Sequence, residues 1–259
     1  MQIIRYSLNN EEPQYGWILD QKVGLLSGPP FGPFRRLETS IPLPSVKLHA
    51  PVLPGKIIAV GRNYTEHAKE QNVEVPETPL LFLKPPSSII GMGETILLPP
   101  QSKQIEFEAE LAIVIEKKGK WIDINKIEEY ILGYSIANDV TARDLQRSDG
   151  QWTRAKGFDT FCPLGPLIET ELDVSDVLIT NRVNGEIRQM ASTREMVFNI
   201  PQLIVYISSI MTLNPGDVIL SGTPSGVGKI EDGDVIEIEI EGIGKLINNV
   251  SIDQRQLLK

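Results

Sequence analysis

The chain has 259 residues, 41% hydrophobic and 23% charged, a composition ordinary for a globular protein. Its formal net charge of −9 disfavours non-specific nucleic-acid binding, so an anionic ligand would have to be met by locally placed cations. A single cysteine, Cys162, excludes an intrachain disulfide framework and suits a reducing compartment. The start carries no apolar signal region and no run is as long as a membrane span, so the expectation is a cytoplasmic protein that engages neither nucleic acid nor membrane.

Residues 3–7, 15–19 and 22–26 read as three short strands, the last two joined by a tight turn at Asp20-Gln21. Prolines cluster within residues 27–54, with Gly28 and Gly32 among them, and favour extended, turn-rich chain over helix. Residues 1–50 are therefore expected to form a small β-rich annex and linker, and residues 51–259 the main domain. Residues 56–60 are a short apolar strand. Just after it, Asn63 or Thr65 can cap a short helix that carries His67 and Glu70 on one face. Residues 80–84 form another strand, ended by Pro85-Pro86.

Residues 105–115, I-E-F-E-A-E-L-A-I-V-I, read as one strand. Ile105, Phe107, Ala109, Leu111, Ile113 and Ile115 share a face; Glu106, Glu108 and Glu110, then Ala112 and Val114, share the other. Residues i and i+2 lie roughly 6.6 Å apart along a strand, so two neighbouring carboxylates can converge on one ion. Like charges on one face raise one another's pKa unless a cation sits among them. Hard carboxylate oxygens suit Mg²⁺, Mn²⁺ or Ca²⁺. The competing reading is an edge strand whose charges discourage aggregation.

Beyond it, residues 117–120 form a turn, 126–132 a short helix ended by Gly133, and 134–140 a strand. Residues 177–183 and 186–190 flank Asn184-Gly185, a strong hairpin signal. Residues 200–211 are an amphipathic helix with Pro201 in its first turn, and 217–221, 235–241 and 244–252 are strands. The whole reads as predominantly β with a few short helices.

Four places besides the acidic strand carry chemistry. Asp139, after an apolar strand, can cap a turn or complete one face of an octahedral ion beside Glu108 and Glu110. Of the two histidines, His49 lies in the proline-rich linker, whereas His67 has Glu70 one turn on to orient its ring and raise its basicity. Lys156 lies among glycine and aromatic residues, a setting for a positioned ammonium as well as for a solvated loop lysine. The glycines of residues 221–228 permit close backbone approach to an anionic or carbonyl ligand, although the Gly-Lys-Ser/Thr of a phosphate loop is missing.

In order and wording these pieces resemble the fumarylacetoacetate hydrolase (FAH) family. The matching motifs are G-R-N-Y-x-E-H-A from Gly61, L-F-L-K-P from Leu81, E-x-E-L-A-x-V-I from Glu108 and N-D-V-T-A-R-D-L-Q from Asn138. They continue with K-G-F-D-T-F-C-P-L-G-P from Lys156, V-N-G-E from Val183 and S-G-T-P-S-G-V-G from Ser221, spanning residues 56–250. The resemblance implies a predominantly β (α+β) fold, an FAH-type mixed β-sandwich roll, assembled as a homodimer. It implies Glu108, Glu110 and Asp139 as metal ligands, with Glu106 flanking them, and a His67–Glu70 pair that activates water. Lys156, with Arg143 and Gln146, matches residues that polarise the substrate carbonyl or stabilise developing negative charge, and Thr223 a substrate contact. Arg62 and Tyr64 would shape the entrance, Arg62 as a partner for a remote carboxylate.

Only about 50 residues precede the core, and the further aspartate ligand of long animal-type members is not found. Three protein ligands favour a water-rich Mg²⁺ or Mn²⁺ over a Ca²⁺ cage. The short form resembles acylpyruvate hydrolases and hydroxymuconate isomerase/decarboxylases. The activity implied is metal-assisted hydrolysis of a C–C bond in an acylpyruvate-type 2,4-dioxo acid. Isomerisation of a hydroxymuconate, or decarboxylation or tautomerisation of a 2-oxo diacid such as oxaloacetate, would use the same metal without an attacking water.

Overall fold

The computed structural model describes residues 1–9 and 11–254. Among them the backbone of the fold is a twelve-stranded sheet. Its main path runs Arg36–Pro42, Lys22–Leu26, Gln14–Leu19, Gln2–Ser7, Cys162–Glu169, Ile131–Asn138, Ala109–Ile115, Val218–Leu220, Ile57–Gly61 and Leu80–Lys84. A five-stranded sheet (Glu186–Ser192, Leu178–Val183, Val235–Ile240, Gly244–Ile252, Thr95–Leu98) packs with it, and a three-stranded sheet joins Thr141–Ala142, Ile105–Phe107 and Gly228–Lys229. The fold is the mostly-β roll with few short helices that the sequence leads one to expect. The N-terminal strands belong to the large sheet itself, Ile3 pairing with Ile168.

Ala109–Ile115 lies in the middle of the large sheet, hydrogen-bonded to Ile131–Asn138 on one side and Val218–Leu220 on the other. Leu111, Ile113 and Ile115 pack into one core with Ile179 and Ile238 of the five-stranded sheet and Leu203, Ile204 and Ile207 of helix Ile200–Ile210. Ala112 and Val114 enter a second core with Ile57, Ala59, Ala137 and Leu164. A strand covered on both faces needs an almost unbroken apolar run, and residues 111–115 supply one. The edge-strand reading of this segment is therefore incorrect.

So is its reading as a single strand. Residues 105–115 form two strands in two sheets, Ile105–Phe107 and Ala109–Ile115, broken at Glu108. Side chains close the break: the Glu108 N–H donates to Asn138 Oδ1 at 2.9 Å and the Ala109 N–H to Gln189 Oε1 at 3.1 Å. Polar side chains thus stand in for ladder carbonyls where the chain changes sheets.

Other elements differ in their bounds or kind. The helix read at 126–132 is a 3₁₀ segment, Ile124–Tyr130, capped by Asp123, and the next strand begins at once with Ile131. The proline-rich stretch contains two strands, Arg36–Pro42 and Lys47–His49, paired at sheet margins where a missing N–H is tolerated. Both expected hairpin turns occur with left-handed backbone at their two central residues, Asp20-Gln21 (φ 48° and 60°) and Asn184-Gly185 (φ 52° and 82°). Among the described residues no helix is long and apolar enough to cross a membrane.

Candidate metal centre and active site

Strand pairing assembles the acidic cluster. Glu108 sits in the break, Glu110 is the second residue of the central strand opposite Ala137, and Asp139 directly follows the neighbouring strand. The Asp139 N–H donates to the Glu108 carbonyl at 2.8 Å, which fixes the two segments together. One oxygen of each carboxylate lies within 4.8 Å of the others, and all three side chains are buried.

Buried carboxylates require partners. Lys156 Nζ donates to Glu108 Oε2 at 2.7 Å and to Asp139 Oδ2 at 2.5 Å. Arg143 Nη2 donates to Glu108 Oε1, while Arg143 Nε bonds Glu106 Oε2 at 2.7 Å. Lys84, fully buried at the end of its strand, donates to Asp139 Oδ1 at 2.6 Å. Burial alone would raise the Glu108 pKa, but Lys156 and Arg143 hold it well below the usual carboxylate range. Glu110 is different: among the described residues no cationic side chain bonds it, and it accepts from the Gly222 N–H at 2.7 Å. Burial first, then the charges of Asp139 and Glu108, push its pKa well up.

The donor set fits a hard divalent cation. Three buried oxygen ligands converge, and the one without a cationic partner carries an electrostatic penalty that such an ion would remove. Glu106, bonded to Arg143 and to Gln104 Nε2 at 2.5 Å, flanks the cluster without joining it.

His67 lies on the short helix Thr65–Glu70, as expected, with Nδ1 3.2 Å from Glu70 Oε2. An ionised carboxylate only accepts, so Nδ1 carries the proton and Nε2 presents a lone pair, here met by the Gln71 amide at 3.1 Å. Burial lowers the His67 pKa, against the opposing pull of Glu108 and Glu70, which favours neutral imidazole. Glu70 also accepts the Gly226 N–H at 3.1 Å and so ties the helix to the glycine-rich loop. Neither Thr65 nor Asn63 caps this helix; Tyr64 occupies the cap position. The Asn63 side chain instead bonds the carbonyls of Ser221 (2.8 Å) and Phe198 (3.0 Å) and the Phe198 N–H (2.8 Å).

The remaining residues surround a small inner cavity of about 20 Å³, lined by Glu108, Glu110, Asp139, His67, Lys156 and Thr223 among others. Thr223 Oγ1 donates to the Ala109 carbonyl at 2.9 Å and accepts from Gln189 at 2.8 Å. Arg62, Gln71, Arg143, Gln146 and Trp152 line both this cavity and an outer cleft of about 430 Å³. Gln146 accepts from Arg143 at 2.5 Å. Tyr64 stands apart from the entrance: it is buried, lines neither cavity, and its hydroxyl has no hydrogen-bond partner among the described residues. Sequence reading missed Lys84 and Gln71. A lysine closing an apolar strand beside Pro85-Pro86 was the available signal for the first; Gln71 gave none.

Fold and site together define a class: a mixed β roll with a buried carboxylate triad able to hold a divalent cation and a histidine–glutamate pair beside it. The chain belongs to the fumarylacetoacetate hydrolase family, whose model "Fumarylacetoacetate (FAA) hydrolase C-terminal" matches residues 56–251; an "Rv2993c-like, N-terminal" model matches residues 1–51. Oxaloacetate tautomerase Fahd2a of Rattus norvegicus is 46% identical over 222 residues, covering 81% of this chain and 71% of that protein. The crystal structure of 5-carboxymethyl-2-hydroxymuconate delta-isomerase from Mycobacterium smegmatis is 45% identical with a TM-score of 0.90, covering 98% of this chain and all of that one. The fumarylacetoacetate hydrolase of Exiguobacterium antarcticum is 36% identical with a TM-score of 0.84 and the same coverage. These relatives are enzymes whose names span tautomerase, isomerase and hydrolase.

Proposed function

We propose that this chain is a divalent-metal-dependent enzyme of 2-oxo acids in which His67 moves the proton of a keto–enol interconversion. The observation that carries the reading is buried His67, oriented by Glu70 at the cleft mouth and opening onto the same inner cavity as Glu108, Glu110 and Asp139. Glu108, Glu110 and Asp139 would hold the ion, Mg²⁺ or Mn²⁺ by their chemistry. When bound, such an ion supplies Lewis acidity toward the carbonyl and carboxylate of a 2-oxo acid. His67 Nε2, unprotonated and oriented through Nδ1 by Glu70, takes the proton from the carbon beside the carbonyl and gives it to the enolate oxygen, the reverse transfer running from enol to keto. Gln71 must release Nε2 for that transfer. Lys156 is committed to Glu108 and Asp139 and packs 4.9 Å from the Phe82 ring centre, so its part is to position two ligands. The same reading takes the protein as a cytoplasmic homodimer, a state that sedimentation would check.

Hydrolysis of a C–C bond in an acylpyruvate is the second reading. The outer cleft of about 430 Å³ favours it, because it offers more room than a four-carbon acid fills. A neutral His67 suits activation of water equally well. The deciding experiment assays metal-free and Mg²⁺- or Mn²⁺-reconstituted protein with oxaloacetate, 5-carboxymethyl-2-hydroxymuconate, acetylpyruvate and fumarylpyruvate. Metal-dependent tautomerisation or isomerisation that is lost in His67→Ala supports the first reading. Cleavage of the acylpyruvates transfers the assignment to the second, and turnover of none of the four overturns both.

A further inference from the structure

A separate cavity of about 640 Å³ opens between the segment Ile124–Tyr130, residues 172–175 and the start of helix Ile200–Ile210. It shares no lining residue with the inner cavity or the outer cleft. Small-molecule sites typically span about 300–1,000 Å³ and are mainly apolar with a few placed polar groups. Here the apolar walls come from Ile127, Ile131, Leu172, Val174, Met196 and Ile200.

The polar groups decide the sign of an occupant. Arg194 borders the cavity but is bonded to Asp176 at 3.2 Å. The helix start is closed by its own capping box: the Asn199 N–H donates to Gln202 Oε1 at 2.9 Å and the Gln202 N–H to Asn199 Oδ1 at 3.0 Å. Neither feature is therefore offered to an anion. Two lining carboxylates, Glu128 and Asp173, form no salt bridge among the described residues. Both lie near the Tyr134 phenol, which burial first, then these two charges, push up to about 12, so it stays neutral. Carboxylates beside an electron-rich ring in an apolar cavity complement a cation carried on an apolar body.

One wall of this cavity is tied to the metal centre. Met196 is bridged to Tyr64, and the Val197 N–H donates to the Asn63 carbonyl at 2.8 Å. The Asn63 side chain accepts from the Phe198 N–H at 2.8 Å and donates to the Phe198 carbonyl at 3.0 Å. It also donates to the Ser221 carbonyl at 2.8 Å, and it packs so closely on Gly222 that a Cβ there would come within 2.7 Å of the Asn63 Cβ. Gly222 in turn supplies the N–H that Glu110 accepts, and Tyr64 caps the helix bearing His67. Displacement of the 196–198 segment is thus felt at Asn63, and through it at a ligand of the ion.

We infer that this cavity is a regulatory site for an organic ammonium ion with an apolar ring body, coupled to the metal centre through Asn63. The inference uses the acidic triad as a cation site and does not depend on which reaction the protein performs.

The test uses the full chain with tryptamine as probe, and tryptophol and indole-3-propionate as its neutral and anionic counterparts. Methyl-¹³C methionine spectra read the site, because Met196 stands in its wall and Met196→Leu assigns the signal. Tryptamine should shift that methyl saturably and bind about 10-fold tighter than either counterpart by calorimetry, the worth of a charged contact. Glu128→Gln combined with Asp173→Asn, both exposed positions, should erase the preference. Tryptamine should bind roughly 5-fold tighter to Mg²⁺-saturated protein than to protein in EDTA, and Mg²⁺ should gain the same factor from tryptamine, because linkage is reciprocal. Asn63→Ala, folded by thermal melting, should keep tryptamine binding and lose that factor. No saturable shift at Met196, equal binding of the three probes, or a preference that survives the double variant overturns the site. Equal tryptamine affinity with and without bound Mg²⁺ overturns the coupling. A Met196 signal that follows protein concentration and ignores tryptamine assigns this face to a contact between two copies, which also overturns the inference.

Discussion

Lys84 offers the sharpest test of how the acidic centre is balanced. Its ammonium is fully buried, 2.6 Å from Asp139 Oδ1 and 3.3 Å from the Val140 carbonyl. Around it are four buried or nearly buried carboxylates, Glu106, Glu108, Glu110 and Asp139, and two other cations, Lys156 and Arg143. Lys84→Met keeps the length and apolar stem of the side chain and removes the charge. Breaking a buried pair by deleting one partner costs about 3–5 kcal/mol, because the other charge stays buried. Asp139 retains Lys156, which places the expected loss near the lower end, about 3 kcal/mol. For a chain of this size that is roughly a 6–12 °C drop in melting temperature.

The loss belongs to the metal-free protein. With one ammonium gone, the three converging carboxylates present a more negative field to any cation, so the variant should bind Mg²⁺ or Mn²⁺ more tightly than wild type and gain more stability from it. The assay is thermal or urea unfolding of both proteins in EDTA and across a metal titration. An EDTA melting temperature equal to wild type would refute this balance of charges. So would a smaller metal-induced gain in the variant.

The same contacts set other expectations. His67→Ala should reduce turnover by roughly 10²–10⁴-fold while leaving the calorimetric metal affinity intact, and unchanged turnover would remove His67 from the mechanism. The folded pKa of His67 is lowered from 6.5 by burial, so its contribution to stability is full above pH 6.5 and is lost as pH falls below 6.5 through the folded value. The acid limb of kcat/KM should accordingly lie below pH 6.5, and a limb above it would contradict a neutral buried imidazole. Cys162, fully buried, has its thiol pushed up to about 12 by burial, so it should resist a disulfide-exchange reagent at pH 8 until the protein is unfolded; rapid native labelling would count against that burial. Gln71→Ala should free His67 Nε2 and raise reactivity toward an imidazole-modifying reagent, which no change in labelling rate would contradict.

Much of the fold was legible because its signals are local. Alternation, Asn184-Gly185 and Pro201 in the first turn of its helix each act within a few residues, and Lys22–Leu26 and Gly244–Ile252 occur with the bounds the pattern suggests. The strands at Arg36–Pro42 and Cys162–Glu169 were illegible for opposite reasons. The first is exposed and ends on a proline, and the second owes its place to partners far along the chain, Gln2–Ser7 and Ile131–Asn138.

The acidic segment shows where local reading stops. Periodicity put Glu106, Glu108 and Glu110 on one face of one strand, which would have made them equivalent. Long-range bonds from Asn138 and Gln189 break the chain at Glu108 and give the three glutamates different neighbours. Glu106 stays in the small sheet, paired with Arg143; Glu108 lies between Arg143 and Lys156; Glu110 enters the central strand, where a backbone N–H meets it. The division of labour among identical side chains is thus set by which cation reaches each one. Those cations come from residues 84, 143 and 156, beyond any window in which spacing along the strand carries information. Only the order of the motifs along the whole chain could bring them together on paper, and Lys84, though it stands in one of those motifs, drew no role there because a lysine ending a strand is normally solvated.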